Sequence, residues 1–288
     1  MILKFVTFFR IILKKYFPKF YKKSDKLRTI LFKRWFSKKV EINLIEEFYE
    51  FCPAGSGSID LINKNIIYNI KNISNSLNLL ISNNKIPQNI SILKSQPEDS
   101  KKLMELLKEH GSDKYLHDYH LVYAHIFKHY AIDRILEIGL GSKDSKFLSN
   151  MGNFGVPGGC LRAFSAFLGS NVQLVGLDID EKILFSDKNI ETFKFDQLNV
   201  NQVKSFSINN KNSFNLVIDD GLHSNVSVIN TISMCMEVLK KNGLIVIEDL
   251  FEEQLKFVKI AFELNKDYFD YEIYKLNKVF IFIAKKLK

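Results

Sequence analysis

The chain has 288 residues, 46% of them hydrophobic and 25% charged, which is enough for one large domain, or a domain with an appendage, built around a real core. Its formal net charge of +9 is concentrated in residues 1–40, where thirteen Lys/Arg stand against one Asp, whereas residues 41–288 carry 28 basic and 31 acidic side chains. A body with a balance of −3 presents no basic groove for phosphates, so a nucleic-acid binder is excluded as the leading class.

The opening MILKFVTFFRIILKKYFPKFYKK sets Phe5, Phe8, Phe9, Ile12 and Phe17 among Lys4, Arg10, Lys14 and Lys15. Its uncharged runs fall far short of the ~20 residues that span a bilayer. Arg10 also interrupts the apolar core that a signal peptide needs, and no small-residue cleavage site follows. Two readings fit this arm. It is a basic amphipathic helix lying on an anionic inner-membrane surface, or its apolar face packs on a partner subunit in a homo-oligomer while the lysines are solvated. Residues 1–52 are read as the arm, residues 53–100 as a linker and auxiliary region opening with the flexible CPAGSGS (52–58), and residues 101–288 as the main domain. Cys52, Cys160 and Cys235 are far apart and form no CxxC, which suits a reducing cytoplasm better than a disulfide framework or a zinc knuckle.

From about residue 101 short apolar runs alternate with helix-period segments. The runs are RILEIG (134–139), QLVGLDID (173–180), ETFKFDQ (191–197), FNLVIDD (214–220) and GLIVIEDL (243–250). Continuous apolar strands separated by helices predict a parallel sheet covered on both faces. YFDYEIYKL and KVFIFIAKK, around 268–286, predict a terminal antiparallel hairpin. The expected fold is α/β: a Rossmann-like seven-stranded sheet, mostly parallel, closed by the hairpin and preceded by a mainly helical N-terminal extension.

In an open α/β sheet, ligands sit beyond the carboxyl ends of the strands, so the residues that end each run carry the chemistry. LEIGLGS puts Glu137, Gly139 and Gly141 in the first loop, where glycines let a ligand approach the backbone. A dinucleotide fingerprint would need glycine where Asp144 stands, and Glu137 would repel a pyrophosphate while welcoming a cationic cofactor. LDID ends on Asp178 and Asp180, an acid at this tip being able to accept from ribose hydroxyls. FKFDQ presents Asp196 toward an adenine amine. For Asp178 and Asp196 the bland alternative is a helix N-cap.

NLVIDDGLH and GLIVIEDL are expected to be neighbouring strands, about 4.8 Å apart, whose tips bring Asp220, Glu248 and Asp249 together. Such carboxylates repel one another unless a cation sits among them, and all-oxygen ligation suits Mg²⁺ or Mn²⁺, or Ca²⁺, rather than zinc. His223 follows three residues after a candidate ligand. For any single acid, capping a helix and pairing with a surface lysine is the simpler role. Five histidines, His110, His117, His120, His125 and His129, could pair for zinc on a helix, but no carboxylate or Cys ligand accompanies them and a polar helix face explains them better.

The strand pattern resembles the class I S-adenosylmethionine methyltransferase fold. VIDDGLH followed by GLIVIEDL further resembles the metal-dependent sugar O-methyltransferases of the macrocin and mycinamicin type, as do GSDK at 111–114 and PGGCLRAF at 157–164. The resemblance covers about residues 108–251 and departs at Leu222, Cys160 and Phe164. It implies S-adenosylmethionine as cofactor, Mg²⁺ or Mn²⁺ on Asp220, Glu248 and Asp249, and His223 as general base. Glu137, Gly139, Gly141, Asp178, Asp196 and Asp219 fall to the cofactor side, and His117 close to cofactor or substrate. The expected activity is methyl transfer to a sugar hydroxyl of a cell-surface polysaccharide precursor or a glycosylated natural product. The expected location is the cytoplasm, peripherally on the inner membrane. Rival readings are a cephalosporin-hydroxylase-like relative of the same fold and a non-catalytic, membrane-associated scaffold that binds the cofactor.

Overall fold

The computed structural model describes residues 85–288 apart from 96, 153–154 and 277–278, so the expected arm and the CPAGSGS linker lie outside the described residues. The described chain forms a nine-stranded sheet in the order β1-β8-β9-β7-β6-β2-β3-β5-β4. All the expected runs are strands: β2 (Arg134–Ile138), β3 (Gln173–Asp178), β5 (Ile190–Lys194), β6 (Phe214–Asp219) and β7 (Leu239–Leu250). These five are mutually parallel, and the hairpin of β8 (Phe269–Lys275) and β9 (Phe280–Lys286) closes the sheet with β9 antiparallel to β7. The count is nine rather than seven because two-residue strands, β1 (Gln88–Asn89) and β4 (Ser186–Asp187), are added at the edges. Pieces that short carry no alternation to read, and only tertiary pairing makes them strands.

Side chains of successive strand residues point to opposite faces. Ile135, Leu216, Ile218, Leu244 and Val246 therefore enter one core, with α1 (Pro97–Glu109), α2 (Tyr119–His129) and α3 (Gly159–Leu168). Leu136, Ile138, Val217, Ile245 and Ile247 enter the other, with α4 (Val200–Asn209), α5 (Asn225–Val238) and α6 (Glu252–Leu264). Burial on both faces is why these strands read as unbroken apolar runs.

The chain leaves β2 in one direction through β3 and β5, and returns on its other side through β6 and β7. The β2/β6 boundary is thus the point where the strand order reverses, and the crevice above it is where such sheets bind ligands. Among the described residues no helix is long and apolar enough to cross a membrane.

Candidate active site

The tips of β2 and β6 are tied together. The Asp220 N–H donates to the Ile138 carbonyl at 2.9 Å, and the Gly139 N–H donates to the Leu177 carbonyl at 2.8 Å. Gly139 has φ +92°, and a Cβ there would run into the Asp220 carbonyl oxygen, so this glycine is required by the close approach of two loops. Gly141, at φ +86°, packs against Met151, whose N–H donates to the Ser142 carbonyl. The segment after Ser142 therefore folds back on the glycine loop.

Glu137 is buried, and its Oε2 has no hydrogen-bond partner among the described residues. Burial pushes its carboxyl up to about 7, against the pull of Lys114. Asp219 Oδ2 is likewise buried and unpartnered, while Asp219 Oδ1 accepts from Gln197 Nε2 at 2.7 Å. Two buried carboxylate oxygens without donors fit a ligand carrying positive charge, since a buried anionic oxygen without a donor is costly.

Asp178 accepts the Leu140 and Asp180 N–H groups at 2.7 and 2.8 Å, and Asp180 accepts the Ser142 hydroxyl at 2.6 Å. Both acids thus fasten the glycine loop to the tip of β3. Between them Ile179 is 43% exposed, an apolar side chain presented at the rim that its strand pattern does not distinguish. Asp196 lies beyond β5, where its Oδ1 accepts the Leu198 N–H. The residue after it, Gln197, is buried and donates to both Asp219 and Thr231 Oγ1 (2.9 Å) while its Oε1 accepts the Leu222 N–H (3.1 Å). Gln197 ties the loop carrying His223 to the strand tips, a role no local pattern signals.

His223 has φ 54° and Asp249 φ 52°, left-handed conformations that are uncommon outside glycine and concentrate at functional positions. The His223 carbonyl accepts from Gln254 Nε2 at 2.6 Å, and Ser224 caps α5, so the loop is held on both sides. In β7 a register shift against β9 between Ile247 and Leu250 breaks the strict alternation, turning Asp249 toward His223. His223 Nε2 lies 3.5 Å from Asp220 Oδ1 and 4.0 Å from Asp249 Oδ2. These three residues offer metal-binding atoms within 4.8 Å of one another, and among the described residues they form such a group where the helix-borne histidines do not.

Glu248, the third acid expected to hold the ion, lies outside that group and shares Lys114 with Asp220. Its Oε2 accepts from Lys114 Nζ at 2.6 Å and its Oε1 from the Tyr123 hydroxyl. Lys114 is buried and also donates to Asp220 Oδ2 at 2.6 Å, with Glu137 Oε1 at 3.6 Å. Burial alone would lower the Lys114 ammonium, but Asp220 and Glu248 hold it well above its ordinary range. Burial raises the Asp220 and Glu248 carboxyls despite Lys114. For Asp249 burial also pushes upward, yet His223, the Tyr119 hydroxyl and Lys114 bring it below the ordinary carboxylate range. Tyr119 donates its hydroxyl to Asp249 Oδ1 at 2.6 Å and accepts the Asp249 N–H at 3.2 Å. His117, exposed, has its ring 5.7 Å from that of Tyr119.

No family model matches the chain. It is 29% identical over 152 residues to the 8-demethyl-8-alpha-L-rhamnosyl tetracenomycin-C 2'-O-methyltransferase of Streptomyces olivaceus, a match covering 51% of this chain and 37% of that protein. Among solved structures it superposes on the MycE methyltransferase of the mycinamycin pathway in complex with Mg and SAH, at 25% identity and a TM-score of 0.52, covering 65% of this chain and 55% of that one. The chain carries the α/β fold of this methyltransferase. Its match spans about half or less of the length of these relatives. A second MycE structure, holding Mg, SAH and mycinamycin VI, is similar at 23% identity and a TM-score of 0.50 and supports the fold alone. The crevice above β2 and β6 adjoins the acids at the tips of β6 and β7.

Proposed function

We propose that the protein is an S-adenosylmethionine-dependent, divalent-ion-dependent O-methyltransferase acting on a sugar hydroxyl of a glycosylated small molecule or glycan precursor. The observation that carries this reading is the convergence of Asp220 Oδ1 and Asp249 Oδ2 on His223 Nε2, beside a crevice whose buried Glu137 Oε2 and Asp219 Oδ2 lack donors. Carboxylate oxygens suit Mg²⁺ or Mn²⁺, and the buried carboxylate oxygens without donors suit the amino and sulfonium end of the cofactor. The relatives support the same reading, one being a sugar 2'-O-methyltransferase by name and the other having been solved with Mg and SAH.

When bound, the ion supplies an electrophile that acidifies a hydroxyl and the cofactor supplies a methyl group already activated on sulfur. Asp220 and Asp249 would hold the ion, while Glu137, Gly139, Gly141, Asp178, Asp196 and Asp219 line the cofactor's path. His223 would take the acceptor hydroxyl's proton on Nε2. Gln197 and Gln254 hold the backbone of the loop that carries that imidazole.

The test uses the full chain with S-adenosylmethionine, Mg²⁺ and a panel of deoxysugar glycosides, following release of S-adenosylhomocysteine. His223→Ala is expected to abolish turnover with cofactor binding retained; full turnover of that variant in excess EDTA overturns the mechanism. Calorimetry with the cofactor separates the rivals, because a scaffold with a decayed site binds neither cofactor nor ion. The basic residues 1–40 support an acceptor met at an anionic membrane surface, and failure to float with anionic liposomes removes that element.

A further inference from the structure

Each of the two acids that face His223 presents one oxygen and has the other occupied. Asp220 Oδ2 is taken by Lys114 Nζ at 2.6 Å, and Asp249 Oδ1 by the Tyr119 hydroxyl at 2.6 Å. The remaining oxygens, Asp220 Oδ1 and Asp249 Oδ2, are the pair that approaches the imidazole. The two donors are firmly placed. Lys114 is buried in a 3-10 turn (Asp113–His117) whose first residues are capped by Ser112, and Tyr119 is buried at the start of α2, 1% exposed. Tyr119 also receives the Asp249 N–H, so its hydroxyl is locked to the same residue from two sides.

We infer that Lys114 and Tyr119 are positioning residues that force single-oxygen ligation by Asp220 and Asp249, and so make the site selective for a small octahedral cation over Ca²⁺. This rests on the reading of the site as a divalent-ion site.

The physical basis is the difference between the ions. Mg²⁺ and Mn²⁺ favour octahedral, mostly single-oxygen ligation that leaves positions for water and substrate, whereas Ca²⁺ takes about 6–8 oxygens and gains from carboxylates that chelate with both. A carboxylate oxygen held by an ammonium or a phenol keeps only one of its two lone pairs, so two-oxygen chelation by that carboxylate is disfavoured. With Glu248 engaged by Lys114 and Tyr123 on its two oxygens, each of these three carboxylates has at least one oxygen taken by a protein donor. Ca²⁺ would therefore find fewer protein oxygens than it favours, while a smaller octahedral ion would need fewer.

The experiment measures ion binding rather than turnover. Mn²⁺ binding to the full chain with S-adenosylhomocysteine is followed by loss of the free-ion electron paramagnetic resonance signal, with Mg²⁺ and Ca²⁺ as competitors. In the unaltered protein Ca²⁺ competes at least about tenfold less well than Mg²⁺. Tyr119→Phe removes only a hydroxyl, frees Asp249 Oδ1, and is expected to shift the Ca²⁺/Mg²⁺ ratio about tenfold toward Ca²⁺. A general loss of packing weakens both ions together and leaves the ratio still. Lys114→Met carries the same expectation for Asp220, and the tyrosine variant decides the matter if the lysine variant does not fold. A ratio in Tyr119→Phe within about twofold of the unaltered protein, or equal competition by Ca²⁺ before any substitution, overturns the inference and leaves the proposed function standing. No Mn²⁺ binding at all overturns both.

Discussion

Lys114 Nζ donates to Glu248 Oε2 at 2.6 Å, joining residues 134 positions apart, and the same nitrogen donates to Asp220 Oδ2. One buried ammonium thus ties the segment before α2 to the tips of β6 and β7, and it lies 3.6 Å from Glu137 at the tip of β2. Lys114→Met would leave buried carboxylates without their cation. The expected loss is about 3–5 kcal/mol of folding stability. Urea unfolding of the ion-free protein measures it, and a loss under about 1 kcal/mol would show that the acids find another counter-charge.

Glu137 couples cofactor binding to protons. Its carboxyl is raised to about 7 by burial, so the proton is held below that pH and a cationic ligand must displace it. The sign follows: ligand charge favours the ionised form, and affinity rises as pH climbs from 6 toward 8. Calorimetry of S-adenosylmethionine in buffers of different ionisation enthalpy should register proton release at pH 6 that disappears in Glu137→Gln. Equal proton release by both proteins would assign the effect to another group.

In the ligand-free protein the same shift acts on stability. A carboxyl raised from 4.5 to about 7 contributes fully below the lower value, and its contribution is lost as pH rises through the upper one. Glu137→Gln should therefore gain stability relative to the unaltered chain at pH 8 and not at pH 4, as read by thermal melting at both.

Gly139→Ala sets a methyl group against the Asp220 carbonyl oxygen at a residue with φ +92°. Backbone strain alone costs about 1–3 kcal/mol. The clash also displaces Asp220, so cofactor and ion binding should weaken together. A variant that melts and binds like the parent would place the two loops farther apart than described.

Gln197→Leu keeps the side chain's bulk and removes its hydrogen bonds to Asp219, Thr231 and the Leu222 N–H. With the His223 loop released, kcat should fall tenfold or more, about 1.4 kcal/mol. Unchanged kcat would show that Gln254 alone holds the loop.

The sheet was legible because its evidence is local. Runs such as RILEI and FNLVID are apolar without a break since both faces are buried, and acids or glycine at their ends follow from where such sheets bind ligands. The sequence placed Asp220, Glu248 and Asp249 together once β6 and β7 were taken as neighbours, and the structure groups Asp220 and Asp249 with His223. The two-residue edge strands were not, being too short to carry a period.

What the sequence determined by itself was the order of strands and helices and the set of acids at their tips, because burial writes periodicity into neighbouring residues. What the tertiary structure decided was how those acids divide. Asp249 is swung toward His223 by a register shift, and Glu248 is turned to Lys114 and Tyr123. Lys114, Tyr119 and Gln197 acquire their partners across 106, 130 and 22 positions, and interactions between side chains so distant in the chain leave no local pattern.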